Sequence, residues 1–188
     1  MKKIQTEKNL PELIYDSVVN AIVEGRGLMV SVLDENFVAQ LYEFRCGIDL
    51  ISAGLAAQRA DAGARKRGED IIDDGYAAGK AHDLPALIDA DMRFHGFIYE
   101  LAGNTFILDS MEAHWNHVRR VMGDILIVEK NQKQIWEEHA AILDAVLAGD
   151  VRNAETLARQ HVETASKWLQ QEIQGCRDPL KRSGNATL

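Results

Sequence analysis

A chain of 188 residues, 46% of them hydrophobic, is long enough to bury one sizeable core with room for a small appendage. Its 29 Asp and Glu against 21 Lys and Arg give a formal net charge of -8 and a pI near 5.2, which argues against an electrostatic nucleic-acid coat and for a soluble protein that binds small molecules or other proteins. Cys46 and Cys176 have neither metal-ligand spacing nor a disulfide framework, the N-terminus lacks the apolar core of a signal peptide, and no run approaches the roughly 20 apolar residues that cross a bilayer, so a cytoplasmic protein without membrane contact is expected.

The first element is a short amphipathic helix over Asn9 to Glu24, with Pro11 in its first turn and Gly25-Arg26-Gly27 as its stop. Leu28 to Leu33 carries the chain's strongest strand signal, and Asp34 is placed to cap the helix after it. From Asp34 to Ala60, Phe37, Leu41, Phe44, Ile48, Ile51 and Leu55 alternate spacings of four and three, predicting a long helix with that stripe inward. Arg45 lies beside the stripe, four residues before Asp49. The pair reads either as an intrahelical ion pair or as an arginine reaching into a cavity to grip a carboxylate, a task its planar fork suits.

A more polar helix comes next over Arg65 to Lys80, with Ile71, Ile72, Tyr76 and Ala77 facing in. His82 falls in an exposed connector, Asp83 is an N-cap and Pro85 sits just inside the next helix, Leu84 to Ala102, which Gly103-Asn104 closes. Thr105 opens a helix to about Val128 with Leu108, Met111, Trp115, Val118, Met122 and Ile125 inward, and His114 and His117 beside that stripe at surface or rim positions. Two more helices run from Gln134 to Ala148 and from Val151 to Ile173, and the tail from Cys176 has no core pattern.

Three of these helices carry the same anomaly. Asp91 and His95 share the apolar face of the Leu84 to Ala102 helix, one turn apart; His139 falls within the stripe Ile135, Trp136, Ile142, Leu143, Val146; His161 falls within Ala154, Leu157, Ala158, Ala165, Trp168, Leu169. A histidine on an apolar face is ordinarily a hydrogen-bonded core residue. One carboxylate and three imidazoles all aimed inward instead suggest one metal site, because a lone buried carboxylate costs several kcal/mol unless a cation or hydrogen bonds compensate. That donor set suits zinc, nickel, manganese, cobalt or iron without choosing among them.

The ordered run Leu41-Tyr42-Glu43-Phe44-Arg45, Leu55-Ala56-Ala57, Asp91-x-x-Phe94-His95, Ala102-Gly103-Asn104, Glu138-His139-x-x-Ile142-Leu143-x-Ala145-x-x-x-Gly149-Asp150 and Ala158-x-x-His161 resembles the FCD domain, the C-terminal effector-binding domain of the FadR branch of the GntR family of bacterial transcription regulators. The resemblance spans about Asp34 to Leu169. It implies an all-α antiparallel bundle of six or seven helices over 34–175, with metal ligands at the positions of Asp91, His95, His139 and His161, the divalent ion being zinc, nickel or manganese. It also implies that a small organic acid enters the bundle, coordinates the ion and meets Arg45, with Asp49 and Asn104 beside the pocket. Asp49 stands where such domains often have glutamate, and capping alone would also explain Asn104.

Members of that family carry an N-terminal winged helix-turn-helix, and residues 1–33 read as its remnant, the first helix and the final wing strand, with 176–188 a flexible tail. Residues 1–30 hold four basic and four acidic side chains, a net of zero, so operator DNA is an expected partner only where a complete winged helix exists. The expectation is a homodimeric, non-enzymatic sensor domain. Two other readings compete: a metal-dependent hydrolase using Glu137 or Glu138 as base, against which stands the absence of a His-Glu-x-x-His pattern, and a structural helical dimer whose histidines are core hydrogen-bonders.

Overall fold

A computed structural model of the protein describes residues 35–177. Six α-helices, and no strand among the described residues, form an all-α antiparallel bundle: Glu35–Arg59 (α1), Ala64–Lys80 (α2), Leu84–Ala102 (α3), Thr105–Leu126 (α4), Glu129–Leu147 (α5) and Val151–Arg177 (α6). The expected helix at Asn9 to Glu24, the strand at Leu28 to Leu33, the Asp34 cap and most of the expected tail lie outside the described residues. α6 itself continues to Arg177, two residues into the stretch assigned to the tail.

Local chemistry sets several of the boundaries. Asp83 accepts a hydrogen bond from the Ala86 amide at 3.0 Å and Pro85 stands in the first turn of α3, so the orphan amides there are reduced by one cap and one missing N–H. Gly103 ends α3 at φ 58°, the left-handed conformation that glycine adopts without a Cβ penalty. Asn104 then caps α4, its Oδ1 accepting from the Phe106 amide at 3.1 Å. Arg59 Nη1 donates to the carbonyl of Ala102, joining the C-terminal ends of α1 and α3.

α5 begins at Glu129, five residues before the apolar pattern announced it. Its polar first turn is held by the preceding helix: Gln132 Nε2 donates to the Leu126 carbonyl at 2.7 Å and Asn131 Nδ2 to the Ile125 carbonyl at 3.4 Å, so these amides fill the open carbonyls at the end of α4.

The buried face of α1 is rotated from the predicted stripe. Phe37, Phe44 and Ile51 are 38%, 37% and 49% exposed, whereas Val38, Leu41, Tyr42, Arg45, Asp49, Ser52, Ala53, Ala56 and Ala57 are buried. The small residues of the second half allow α1 to lie closely along α6 and against α3, its two main neighbours. This rotation carries Arg45 and Asp49 from the flank of the helix into the middle of the bundle. On α2, Tyr76 and Ala77 are exposed rather than inward; Ala64, Gly68, Ile72, Gly75 and Ala78 form the buried row. On α4, Leu108 is exposed and Ile107 takes the buried place, while Met111, Val118, Met122 and Ile125 are buried as predicted. α2 bridges α3 and α5, and α4 packs mainly on α3.

Candidate metal centre

Asp91 and His95 reach the centre of the bundle from α3, His139 from α5, His161 from α6, and Arg45 and Asp49 from α1; none is more than 4% exposed. The ring of Phe94 stacks on His139 with centroids 4.1 Å apart, and Trp136 meets the same imidazole edge-on at 4.9 Å. These aromatic walls hold the ring in one orientation and keep water from it.

The donor atoms converge. His139 Nε2 lies 3.2 Å from His161 Nε2 and 3.6 Å from Asp91 Oδ1, and His95 Nε2 lies 4.0 Å from the same Asp91 oxygen. One nitrogen from each of the three imidazoles falls within 4.8 Å of the others. Bonds of about 2.1 Å to a common ion place neighbouring ligands roughly 3.0 to 3.4 Å apart, so small inward shifts of these side chains suffice to surround one. Beside them, Asp49, Ala53, Phe94, His95, Ile98, Ile142, Ala158 and His161 line a cavity of about 10 Å³, room for about one water-sized particle.

Asp91 supplies the test of fit. It is fully buried, and neither carboxylate oxygen has a hydrogen-bond partner. Burial pushes its pKa from 3.8 up to about 6, the Arg45 charge only partly opposing the rise. At neutral pH the group is therefore predominantly a carboxylate without a bonded partner, a costly state that a divalent cation relieves. Burial drives the His95 and His139 pKa values well below the usual histidine range, helped by the Arg45 charge and by the neighbouring imidazoles. Both are thus neutral near pH 7 and can offer lone pairs. A buried carboxylate with neutral imidazoles fits zinc, nickel or manganese.

Arg45 is the other pole of the site. Its Nη2 donates to Asp49 Oδ2 at 3.3 Å and to His95 Nε2 at 3.2 Å, and its Nη1 approaches Met122 Sδ at 3.7 Å. Desolvation is the largest influence and would lower its pKa, but Asp49 together with Tyr42, Tyr99 and Asp91 outweighs it and raises the pKa, so the guanidinium stays charged. Asp49 also accepts from the Tyr99 hydroxyl, whose pKa burial and the Asp49 charge both push well above the usual phenol value. The arginine expected to grip a carboxylate is thus already engaged with one from its own helix.

The remaining predicted positions lie apart from this cluster. Asn104 is half-buried and caps α4, and it does not line the cavity. His114 is half-buried beside Phe44 and His117 is exposed beside Phe37, with ring centroids 5.0 and 5.1 Å apart, and His82 is exposed. Two residues of the site were not anticipated in their present roles. Tyr99 completes the row Asp91, His95, Tyr99 at one-turn spacing on α3, a signal that was present in the sequence. Glu138 accepts from His161 Nδ1 at 2.7 Å across two helices, a relationship without a local pattern.

Comparison with known proteins accords with this arrangement. The FCD domain family matches residues 40–164, which is 125 of the 188 residues. The "Putative L-lactate dehydrogenase operon regulatory protein" of Escherichia coli K12 is 27% identical over 133 residues, 69% of this chain and 50% of that protein, and its counterpart in Shigella flexneri matches equally. The chain therefore spans about half the length of the curated relatives it matches. The solved structure of E. coli McbR/YncC superposes with a TM-score of 0.69 at 12% identity, covering 84% of this chain and 83% of that one, which shows the fold alone. The chain belongs to the FCD-domain family, on the FadR branch of the GntR regulators.

Proposed function

We propose that this chain is the ligand-sensing part of a GntR/FadR-type transcription regulator, holding a divalent ion through Asp91, His95, His139 and His161 and recognising a small carboxylate effector through that ion and Arg45. The observation that carries the reading is Asp91: a fully buried carboxylate with both oxygens unpartnered, facing the Nε2 atoms of His95 and His139. The reading of the three histidines as core hydrogen-bonders leaves that carboxylate uncompensated. When bound, the ion supplies a positive charge to which an acid's oxygen can coordinate.

The effector's class follows from the site's charges. A buried guanidinium selects an anion, and the cavity of about 10 Å³ admits an organic acid only if the helices around it part. Binding is therefore coupled to a shift of α1, α3 and α6, and a shift with different affinity for the acid in its two arrangements is a switch. The relative named for an L-lactate dehydrogenase operon makes a short 2-hydroxy acid the first probe. Operator DNA and a second copy of the chain are the proposed partners, with the acid deciding the spacing of two DNA-binding halves.

Elemental mass spectrometry on untagged protein kept from chelators, with His139→Ala alongside, tests the reading. Stoichiometric metal in the wild type and its loss in the variant are expected. Metal in neither, even after reconstitution, would sink it.

A further inference from the structure

Behind each inward histidine stands a question of which ring nitrogen carries the proton, because only a nitrogen without one can bind a metal ion. For His95 the Arg45 guanidinium, which can only donate, marks Nε2 as the acceptor, and for His161 the answer comes from a carboxylate. His161 Nδ1 lies 2.7 Å from Glu138 Oε2, and a carboxylate can only accept, so Nδ1 carries the hydrogen, and in the neutral ring Nε2 is then the nitrogen with the lone pair. That Nε2 is the atom turned toward His139 Nε2 at 3.2 Å. Glu138 is in turn steadied on its other oxygen, where Gln134 Nε2 donates to Oε1 at 2.8 Å.

Neither of the other two imidazoles has a carboxylate within hydrogen-bond distance of its Nδ1. His139 Nδ1 is buried without a hydrogen bond, and His95 Nδ1 is 3.9 Å from Asp49 Oδ1, too far for one. Glu138 also differs from the donors in its surroundings: it is 24% exposed, at a groove between α5 and α6, whereas His161 is 2% exposed. A surface-accessible carboxylate thus controls the orientation of a buried ring.

We propose that Glu138 is a positioning residue of the centre, holding His161 as the Nδ1–H tautomer with Nε2 presented to the ion, whereas the Nε2 of His95 is engaged by Arg45. The proposal rests on the metal reading above and adds to it a residue that touches no ion. Outer carboxylates of this kind typically change metal affinity about 10- to 100-fold when removed.

The experiment has two arms on the full chain. Zinc affinity is measured by chelator competition for wild type, Glu138→Ala, Glu138→Gln and His139→Ala, and histidine tautomers are read by nitrogen-15 NMR on the metal-free proteins. Expected are an Nδ1–H His161 in wild type, a mixed tautomer and a zinc affinity about 10- to 100-fold lower in Glu138→Ala, and partial recovery of both in Glu138→Gln, which keeps an acceptor oxygen without the charge. Wild-type affinity and an unchanged His161 tautomer in Glu138→Ala would overturn the positioning role alone, provided His139→Ala has lost zinc. No zinc bound by wild type would overturn the metal reading beneath it.

Discussion

Arg45 Nη2 lies 3.2 Å from His95 Nε2, so a buried guanidinium donates into the lone pair that His95 would give to a metal ion. The arginine and the ion compete for one atom, and they carry charge of the same sign. In this arrangement Arg45 is also engaged through Nη2 by Asp49, while its buried Nε has no hydrogen-bond partner. On the proposed function, acid binding and metal binding would be coupled: an acid that draws Arg45 away would free His95, and by reciprocity the ion would free Arg45 for the acid.

Arg45→Ala is accordingly expected to move two affinities in opposite directions. Zinc should bind about tenfold tighter or better, since two unit charges 4 Å apart repel by about 4 kcal/mol at an effective dielectric near 20, a divalent ion and a guanidinium by about twice that, and the wild type relieves only part of it. Binding of a short 2-hydroxy acid should be lost. The metal-free variant should also lose roughly 3–5 kcal/mol of stability, because Asp49 stays buried with only Tyr99 as partner. Calorimetry with acid and chelator competition with zinc measure the two affinities; acid binding equal to wild type would remove Arg45 from the effector site.

Asp91→Asn should reverse its rank between two buffers. With a chelator present the variant gains about 1–3 kcal/mol, because a nearly isosteric neutral amide replaces a desolvated charge with no hydrogen-bond partner. In zinc at about 100 times the wild-type Kd, the wild type gains about 2.7 kcal/mol that the variant, binding more weakly, forgoes. Urea unfolding in the two buffers gives both numbers. A variant less stable in both would mean that the Asp91 carboxylate already has a compensating partner.

The metal-free protein should weaken as it is acidified below about pH 6.5. His95 and His139 have folded pKa values well below the unfolded value near 6.5, so the unfolded chain binds more protons and stability falls with pH, by up to about 2.7 kcal/mol per unit for two groups. Asp91 acts the other way. Its folded pKa of about 6 exceeds the unfolded 3.8, so the folded state binds the extra proton between these values and offsets about half of that slope. The loss should therefore set in near pH 6.5 and level off below pH 6 at about 1.4 kcal/mol per unit, half the slope of the two histidines alone. Urea midpoints in chelator from pH 5 to 8 would show it; a flat profile would mean that the histidines are not held neutral.

Gly75→Ala should destabilise the fold despite favouring the helix. A Cβ at Gly75 would lie 2.2 Å from Trp136 Cζ2, and Trp136 is a rigid, buried ring that also abuts His139. The gain in helix propensity is about 1 kcal/mol, whereas overpacking of this kind costs about 1–3 kcal/mol, so a net loss and a changed Trp emission are expected. Thermal unfolding followed by fluorescence checks both; a stability equal to or above wild type would show that α2 and α5 can separate without penalty.

Much of this architecture was written in local signals. The limits of α3 follow from Asp83, Pro85 and Gly103, whose capping chemistry acts within a turn, and the inward placement of Asp91, His95, His139 and His161 follows from periodicity along single helices. The orientation of α1 was not local. Its large apolar residues Phe37, Phe44 and Ile51 suggested one face, but small Ser52, Ala53, Ala56 and Ala57 pack closer to α6 and α3 than bulky side chains can, and that choice belongs to the neighbours. Likewise α5 starts at Glu129 because Asn131 and Gln132 meet the carbonyls of another helix.

An all-helical fold, membership in the FCD family and four inward-facing polar residues on three helices were legible in the residues alone, because helical period and capping depend on positions a few places apart. The three-dimensional packing was needed to bring the imidazole nitrogens and the Asp91 oxygen within a few ångströms, to engage Arg45 with Asp49 and His95, and to let Glu138 select the tautomer of His161. The contacts of Glu138 with His161 and of Arg45 with His95 join residues 23 and 50 positions apart, and no local pattern encodes the angle at which two helices cross.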